Sequence, residues 1–176
     1  MDRKIYIGNS RLSLSEYIHE IDDIEKYNCW QEPETQKGYN YIRTETFEEF
    51  RDKPIRSRFL ATVIRCSDDA RMGSIFLSPV NTLPDLAIMI YKPYRGQGYG
   101  TMAFSLGIQY CFENLKLDRI FAGCYEDNLA SMKMLKKCGF LPHPEGNQRE
   151  KHYLTGKDII QFDFVKYNPA NTGLLI

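Results

Sequence analysis

The stretch that decides the fold runs from Pro84 to Gly100 and reads PDLAIMIYKPYRGQGYG. Its first half contains a continuous apolar run, Leu86 to Tyr91, whose length and flanking prolines predict a buried strand. A glycine-rich turn, Arg95 to Gly100, comes next. Apolar residues then recur at helical spacing from Thr101 to Lys116, which predicts a helix. The segment is therefore expected to join an interior strand to the N-terminus of a helix through a tight turn.

This turn predicts an anion-binding site. Glycine lets the backbone approach a ligand closely, and the first turn of a helix leaves amide groups without partners inside the helix. The helix dipole favours negative charge at the same position. We therefore expect a phosphate group to bind to the backbone of Arg95 to Gly100.

Three phosphate-binding motifs can be compared with the turn. A P-loop requires a Gly-Lys pair followed by Ser or Thr, and this stretch contains none. A dinucleotide-binding turn requires a third glycine where the chain has Thr101. The third motif, R-x-x-G-x-G, is met by Arg95, Gly98 and Gly100. It resembles the acetyl-coenzyme A (acetyl-CoA) pyrophosphate loop of the GNAT superfamily of N-acetyltransferases.

A second segment strengthens the resemblance. Arg119 to Tyr125, RIFAGCY, predicts a strand, and the residues from Leu129 to Cys138 predict a helix. Asn128 before this helix and Gly139-Phe140 after it resemble the superfamily's strand-Asn-helix-Gly-Phe segment, with the glycine as a C-cap. The resemblance covers roughly residues 58 to 167.

The rest of the chain predicts an α+β fold. Ser13 to Glu16 has capping-box spacing and predicts a first helix with Leu14 to Ile24 on one face. The other predicted elements are a loop over Trp30–Asn40, a helix over Thr44–Phe50, a hairpin of Arg58–Cys66 and Gly73–Leu77, strands over Lys151–Leu154 and Ile159–Tyr167, and a loose tail over 168–176. Hairpins followed by strand-helix-strand units indicate a sheet with helices on both faces. The resemblance implies a mixed, largely antiparallel central sheet that splays in the middle around the cofactor.

Length and composition indicate one domain over residues 1–176 with a single core. Lysine plus arginine, 23, balances aspartate plus glutamate, 23, so we expect no nucleic-acid or membrane partner. The three histidines have no metal-site spacing, and we expect no metal. We expect a monomer or a homodimer. The five scattered cysteines predict reduced core thiols of a cytoplasmic protein. These are Cys29, Cys66, Cys111, Cys124 and Cys138.

The resemblance implies acetyl transfer from acetyl-CoA to a primary amine acceptor. The pyrophosphate is expected on the backbone of Arg95, Gly96, Gln97, Gly98, Tyr99 and Gly100. The pantetheine arm is expected on the main chain near Met89 and Ile90, and an amide around Ile90 is expected to stabilise the oxyanion. Asn128 is expected both to cap its helix and to contact the cofactor.

The catalytic residues are less clearly indicated. Many members of the superfamily protonate the thiolate with a tyrosine seven residues beyond the asparagine, and this chain has Leu135 there. Its absence resembles the branch that acetylates N-termini of ribosomal proteins, in which Ser131 becomes the candidate acid. Glu150 is then the first candidate base and His152 the second. A non-catalytic interpretation stays open for both residues, because Ser131 can be a tolerated helix residue and Glu150 a solvated charge.

Two functions are compatible with these features. One is an N-acetyltransferase of small-molecule or peptide amines, and the other is a non-catalytic acetyl-CoA-binding module or sensor on the same fold. For the enzyme we expect an α-amine acceptor, which at a pKa of about 7.7 to 8.0 is already partly neutral, rather than a polyamine, at about 10.4. A polyamine pocket would be clearly acidic, whereas the acids near Glu150 alternate with Arg149 and Lys151.

Overall fold

Nine strands and five α-helices form the part of the chain that the computed structural model describes, residues 3–174, with side chains to residue 171. The strands are β1 (Ile5–Gly8), β2 (Leu12–Glu16), β3 (Phe59–Arg65), β4 (Arg71–Leu77), β5 (Leu86–Ile90), β6 (Arg119–Tyr125), β7 (Leu141–Pro142), β8 (Gln148–Lys151) and β9 (Asp158–Tyr167). The helices are α1 (His19–Trp30), α2 (Pro33–Tyr39), α3 (Phe47–Arg51), α4 (Tyr99–Glu113) and α5 (Leu129–Lys137).

The strands form two antiparallel sheets that meet at one end. The first has the order β1-β2-β3-β4-β5, and the second has the order β6-β9-β7, with β8 also paired to β9. A parallel bridge joins Asp85 to Phe121, and the Phe121 amide donates to the Pro84 carbonyl at 2.9 Å. Beyond this bridge a cavity separates β5 from β6. The α+β class and the splayed, largely antiparallel sheet are therefore confirmed.

Helices cover both faces of the sheets, as predicted. The main core lies between the strands and α4 with α5, where Phe104 and Leu135 are almost fully buried. A smaller cluster on the opposite face joins Cys29 and Trp30 of α1 to Met89. The two faces of β5 are thus buried against different helices, which explains its continuous apolar run.

The predicted N-terminal helix is wrong in position. Ser13 to Glu16 lies in β2, where Leu12 and Leu14 are fully buried and Ser13 and Ser15 share a hydrogen bond of 2.9 Å. The Leu-Ser alternation is a two-residue period, which fits a strand better than a capping box. Helix α1 begins at His19 instead.

The loop predicted over Trp30–Asn40 is also wrong, because it contains α2. Pro33 stands in the first helical turn, where its missing N–H costs nothing, and Asn40 ends the helix in the left-handed region at φ 51°. The proline and asparagine that suggested a loop thus mark the two ends of a helix.

The C-terminal third departs from prediction in two places. Strand β8 is Gln148–Lys151 rather than Lys151–Leu154, because His152 begins a turn. The tail predicted to be loose from residue 168 begins with a buried Asn168, whose side-chain amide donates to the Leu117 carbonyl at 3.1 Å. A 3-10 helix, Pro169–Leu174, follows, and residues 175–176 lie outside the described chain.

The remaining predicted elements agree with the structure within a few residues. These are the β3–β4 hairpin, β5, α4, β6, α5, β9 and the helix near residue 47. The cysteine prediction is confirmed for four buried free thiols and wrong for Cys66, which is exposed.

Candidate active site

A cavity of about 560 Å³ lies where β5 and β6 diverge. Its walls come from β5 and β6, and residues of α2 and α5 also line it. The lining includes Tyr39, Asp85, Ile88, Tyr125 and Ser131. Backbone groups of an unpaired strand edge and several titratable side chains therefore meet in one space.

The two sides of β5 have different roles. The Tyr91 amide donates to the Met72 carbonyl of β4 at 2.8 Å, and antiparallel pairing alternates along a strand. The backbone of Met89 therefore faces β4, whereas the amides of Ile88 and Ile90 face the cavity. Of the two residues predicted to contact the cofactor through their main chain, Ile90 has its amide toward the cavity and Met89 does not, and the Ile88 amide also faces the cavity.

The glycine-rich turn has the geometry that an anion requires. Gly96 and Gly98 have φ of 73° and 83°, and a Cβ added at either position meets no atom within 4 Å. Gly98 is the N-cap of the 15-residue α4 and provides no side-chain cap. The free amides of Tyr99 and Gly100 thus start a long helix at an open surface, which fits a pyrophosphate. Gln97 is exposed, and its side chain donates to the Pro93 carbonyl at 2.9 Å.

A second cavity, of about 420 Å³, lies beside the same turn. Gln97 and Gly98 line it together with two cations, Arg11 and Lys137. The cations lie far apart in the sequence and come together only in the folded protein. Their charges favour a further phosphate next to the turn.

The Arg95 side chain points away from the anion site. Its Nε donates to the Ile90 carbonyl at 2.7 Å, and its other nitrogens bind α2 and the residue before it. Their partners are Glu32 at 2.5 Å, Glu34 at 2.9 Å and the Thr35 hydroxyl at 2.9 Å. Only the backbone of Arg95 remains a candidate for phosphate contact.

Asn128 and Ser131 stand together at the start of α5. The Asn128 side chain accepts a hydrogen bond from the Ser131 amide at 3.1 Å, so Asn128 is the predicted N-cap. Both residues line the main cavity. Leu135, in the same helix, is buried in the core.

Glu150 reaches the main cavity through Tyr125. The Tyr125 hydroxyl, which belongs to a lining residue, donates to the Glu150 carboxylate at 2.8 Å. Burial, together with this hydrogen bond, raises the pKa of Tyr125 to about 12. Asn40, just after α2, donates to the same carboxylate at 3.4 Å. Glu150 therefore holds the Tyr125 hydroxyl in place at the cavity.

The structure does not bring His152 to the cavity. Its Nδ1 accepts hydrogen bonds from the amides of Leu154 and Thr155 at 3.2 and 3.3 Å, which stabilises the turn after β8. Because this nitrogen is occupied within its own turn, His152 has a structural role there.

Asp85 is the residue that sequence reasoning missed. It lines the main cavity at the end where β5 and β6 meet. Burial, and then the nearby carboxylate of Asp163, raises its pKa to about 6. Within the described residues, no side chain donates a hydrogen bond to its carboxylate. Its one sequence signal is a charge placed directly before a buried apolar run.

Between residues 3 and 174, no three His, Cys, Asp or Glu side chains come together as a metal site. None of the helices in that range combines the length and apolarity needed to cross a membrane.

Residues 11–141 match a family model described as an acetyltransferase (GNAT) domain. A probable N-acetyltransferase of Bacillus subtilis, YjcK, is 36% identical over 98 residues, or 53% of each chain, so this chain spans about half of that relative's length.

Two solved structures share the fold. A spermidine N-acetyltransferase from Vibrio cholerae, in complex with CoA and spermine, matches with a TM-score of 0.78 at 19% identity, over 91% of this chain and 97% of that one. A ribosomal-protein-S5-alanine acetyltransferase from Vibrio fischeri matches with a TM-score of 0.75 at 17% identity, over 93% and 96% of the two chains.

Proposed function

The chain belongs to the GNAT acetyltransferase family, and from this premise we propose that it transfers the acetyl group of acetyl-CoA to a primary amine. The observation that carries the proposal is the main cavity, which reaches from the Ile88 and Ile90 amides to Asp85 and Ser131. The glycine-rich turn lies at the other end of the Ile90-to-Arg95 connection. The phosphate end and the reacting end of one extended substrate thus have adjoining sites.

Acetyl-CoA is a substrate here, and it supplies the activated acetyl group. The amides of Tyr99 and Gly100 would hold its pyrophosphate. The second cavity, with Arg11 and Lys137, would take the nucleotide end of the molecule. The Ile90 amide would bind the pantetheine arm, and Ile88, deeper in the cavity, would stabilise the charge that develops on the carbonyl oxygen.

Two proton transfers complete the reaction. As the amine nitrogen bonds to the acetyl carbon, its proton passes to Asp85. Three residues of strand separate Asp85 from Ile88, roughly 10 Å, so a chain of waters rather than a single one completes this path. The carbon–sulfur bond then breaks, and Ser131 donates a proton, directly or through a water, to the leaving thiolate while solvent returns a proton to the Ser131 oxygen. Glu150 and Tyr125 form a second route for the amine proton.

The acceptor that we propose is an α-amine of a peptide or of a small amino compound. Several acids near the cavity are already engaged, because Asp127 pairs with Lys37 at 3.2 Å and Glu126 accepts the Ile160 amide at 3.0 Å. Few free carboxylates then remain for a polyamine. A single base with a pKa near neutrality is matched to an amine that is already partly neutral.

Release of free thiol from acetyl-CoA tests the function directly. Short peptides and amino-acid amides should give turnover, and spermidine at equal concentration should give less, between about pH 6.5 and 9. Binding of CoA, with no thiol released from acetyl-CoA in the presence of any amine, would support the non-catalytic module. That alternative stays open because position 135 is a leucine. A wide preference for spermidine would overturn the α-amine assignment.

Ser131→Ala tests the proposed acid. Loss of a general acid is expected to lower kcat on the order of a hundredfold. The melting temperature should change little, because the Ser131 amide, and not its hydroxyl, makes the N-cap bond. Ser67→Ala is a control, since that hydroxyl lies in the exposed β3–β4 turn and lines neither cavity. Unchanged turnover in Ser131→Ala would assign the proton to solvent.

A further inference from the structure

Helix α2 spans the cavity and contacts both of its walls. On the β5 side, the Tyr39 hydroxyl donates to the Ile88 carbonyl at 3.0 Å. On the β6 side, Lys37 pairs with Asp127 at 3.2 Å, and a Cβ on Gly38 would lie 3.3 Å from the Asn128 side chain. Helix α2 therefore covers the face of the cavity opposite α4.

Little within α2 itself stabilises it. It has seven residues, its N-cap makes no side-chain hydrogen bond, and Gly38 lies inside it. Helices this short are marginal in water unless tertiary contacts hold them. The position and order of α2 thus depend on its contacts with the rest of the protein.

Arg95 provides the densest of these contacts. It binds Glu32, Glu34 and Thr35 while its Nε holds the Ile90 carbonyl. Arg95 is also the first residue of the anion-binding turn, so its backbone belongs to the turn while its guanidinium binds α2. One residue therefore belongs to both structures.

We propose that Arg95 is a positioning residue that couples occupancy of the anion-binding turn to the order of α2 over the acceptor side of the cavity. This rests on the proposed function only in taking CoA as the ligand of the turn. A phosphate bound to the turn also orders the Arg95 backbone. The Arg95 side chain then loses less conformational entropy when it binds α2. The coupling is reciprocal, so an ordered α2 also strengthens CoA binding.

The test uses CoA alone and needs no acceptor. Hydrogen exchange of the α2 amides is measured with and without saturating CoA, and CoA affinity is measured by calorimetry. CoA should slow α2 exchange in the wild type by about tenfold. Arg95→Gln should abolish this protection and weaken CoA binding by no more than about tenfold, the reciprocal effect of the same coupling. Arg95→Lys should restore part of the protection.

A second readout and a second variant guard against a folding defect. Trp30 is the only tryptophan, and its ring lies 4.6 Å from that of Tyr39, so its fluorescence reports on α2. The pair Glu32→Gln and Glu34→Gln removes the ion pairs from the α2 side, with the turn intact, and should also abolish the response to CoA. Lys92→Gln, an exposed charge loss nearby, should leave the response unchanged.

Three results would overturn the proposal. The first is CoA binding to the wild type without slower α2 exchange, and the second is full protection in Arg95→Gln. The third is a hundredfold weaker CoA binding in Arg95→Gln, as expected of a direct phosphate ligand. Failure of the wild type to bind CoA is a separate result, seen by calorimetry before any exchange experiment, and it would reject the proposed function as well.

Discussion

Gly98→Val is expected to abolish CoA binding. Valine is β-branched, so it resists the φ of 83° at this position and places carbon in the open space above the first amides of α4. Loss of two charge-assisted hydrogen bonds to phosphate removes about 3 kcal/mol or more, which is a factor of about a hundred in affinity. Calorimetric titration of CoA measures this loss.

Gly156→Val is the matched control for this substitution. Gly156 is an exposed glycine with φ of 65° in the turn before β9, and it too has nothing within 4 Å of an added Cβ. Both substitutions carry a similar backbone strain of roughly 1–2 kcal/mol. Only Gly98→Val should lose CoA, and equal losses in both variants would assign the effect to general destabilisation.

Asp85→Asn is expected to give the largest loss of catalysis. Removal of a general base typically lowers the rate by about 10² to 10⁴. The wild-type kcat/KM should rise with pH through about 6, the value to which burial and Asp163 raise the pKa of Asp85. This rise should vanish in Asp85→Asn, and the residual rate should follow the ionisation of the amine alone.

Asp85→Asn is expected to raise the stability of the fold while it lowers activity. The folded-state pKa of Asp85 lies above its usual 3.8, so burial of the carboxylate destabilises the fold as pH rises through about 6. Asparagine carries no charge, and the variant should be more stable than the wild type above that pH by up to about 3 kcal/mol. The difference should disappear near pH 4, as thermal melts at several pH values would show.

Two further variants separate the possible bases. Asp163→Asn should move the acidic limb of the wild-type profile to lower pH, because the Asp163 carboxylate is one of the groups that raise the pKa of Asp85. Glu150→Gln and Tyr125→Phe should each cost less than Asp85→Asn. If Glu150→Gln and Tyr125→Phe instead lose as much activity as Asp85→Asn, and the variant that carries both loses no more than either alone, the base is the Tyr125–Glu150 pair.

The sequence by itself determined the segments whose conformation depends on nearby residues. The apolar run of β5, the glycines at positive φ and the helix that follows are consequences of steric and periodic rules within about 20 residues. Asn128 as an N-cap belongs to the same class, since the cap and its bonded amide are three residues apart. The family followed from these local features.

The tertiary structure alone decided what distant residues do to one another. Arg95 reads as part of a phosphate motif, yet Glu32 and Glu34, about 60 residues earlier, draw its side chain to α2. In the sequence, Asp85 is an ordinary charged residue next to a strand. In the structure it lines the cavity, because β5 and β6 meet beside it. Charge and burial depend on the folded surroundings, which residue spacing along the chain does not encode. For that reason the conformation of the glycine-rich turn was predictable from sequence, and the position of Asp85 was not.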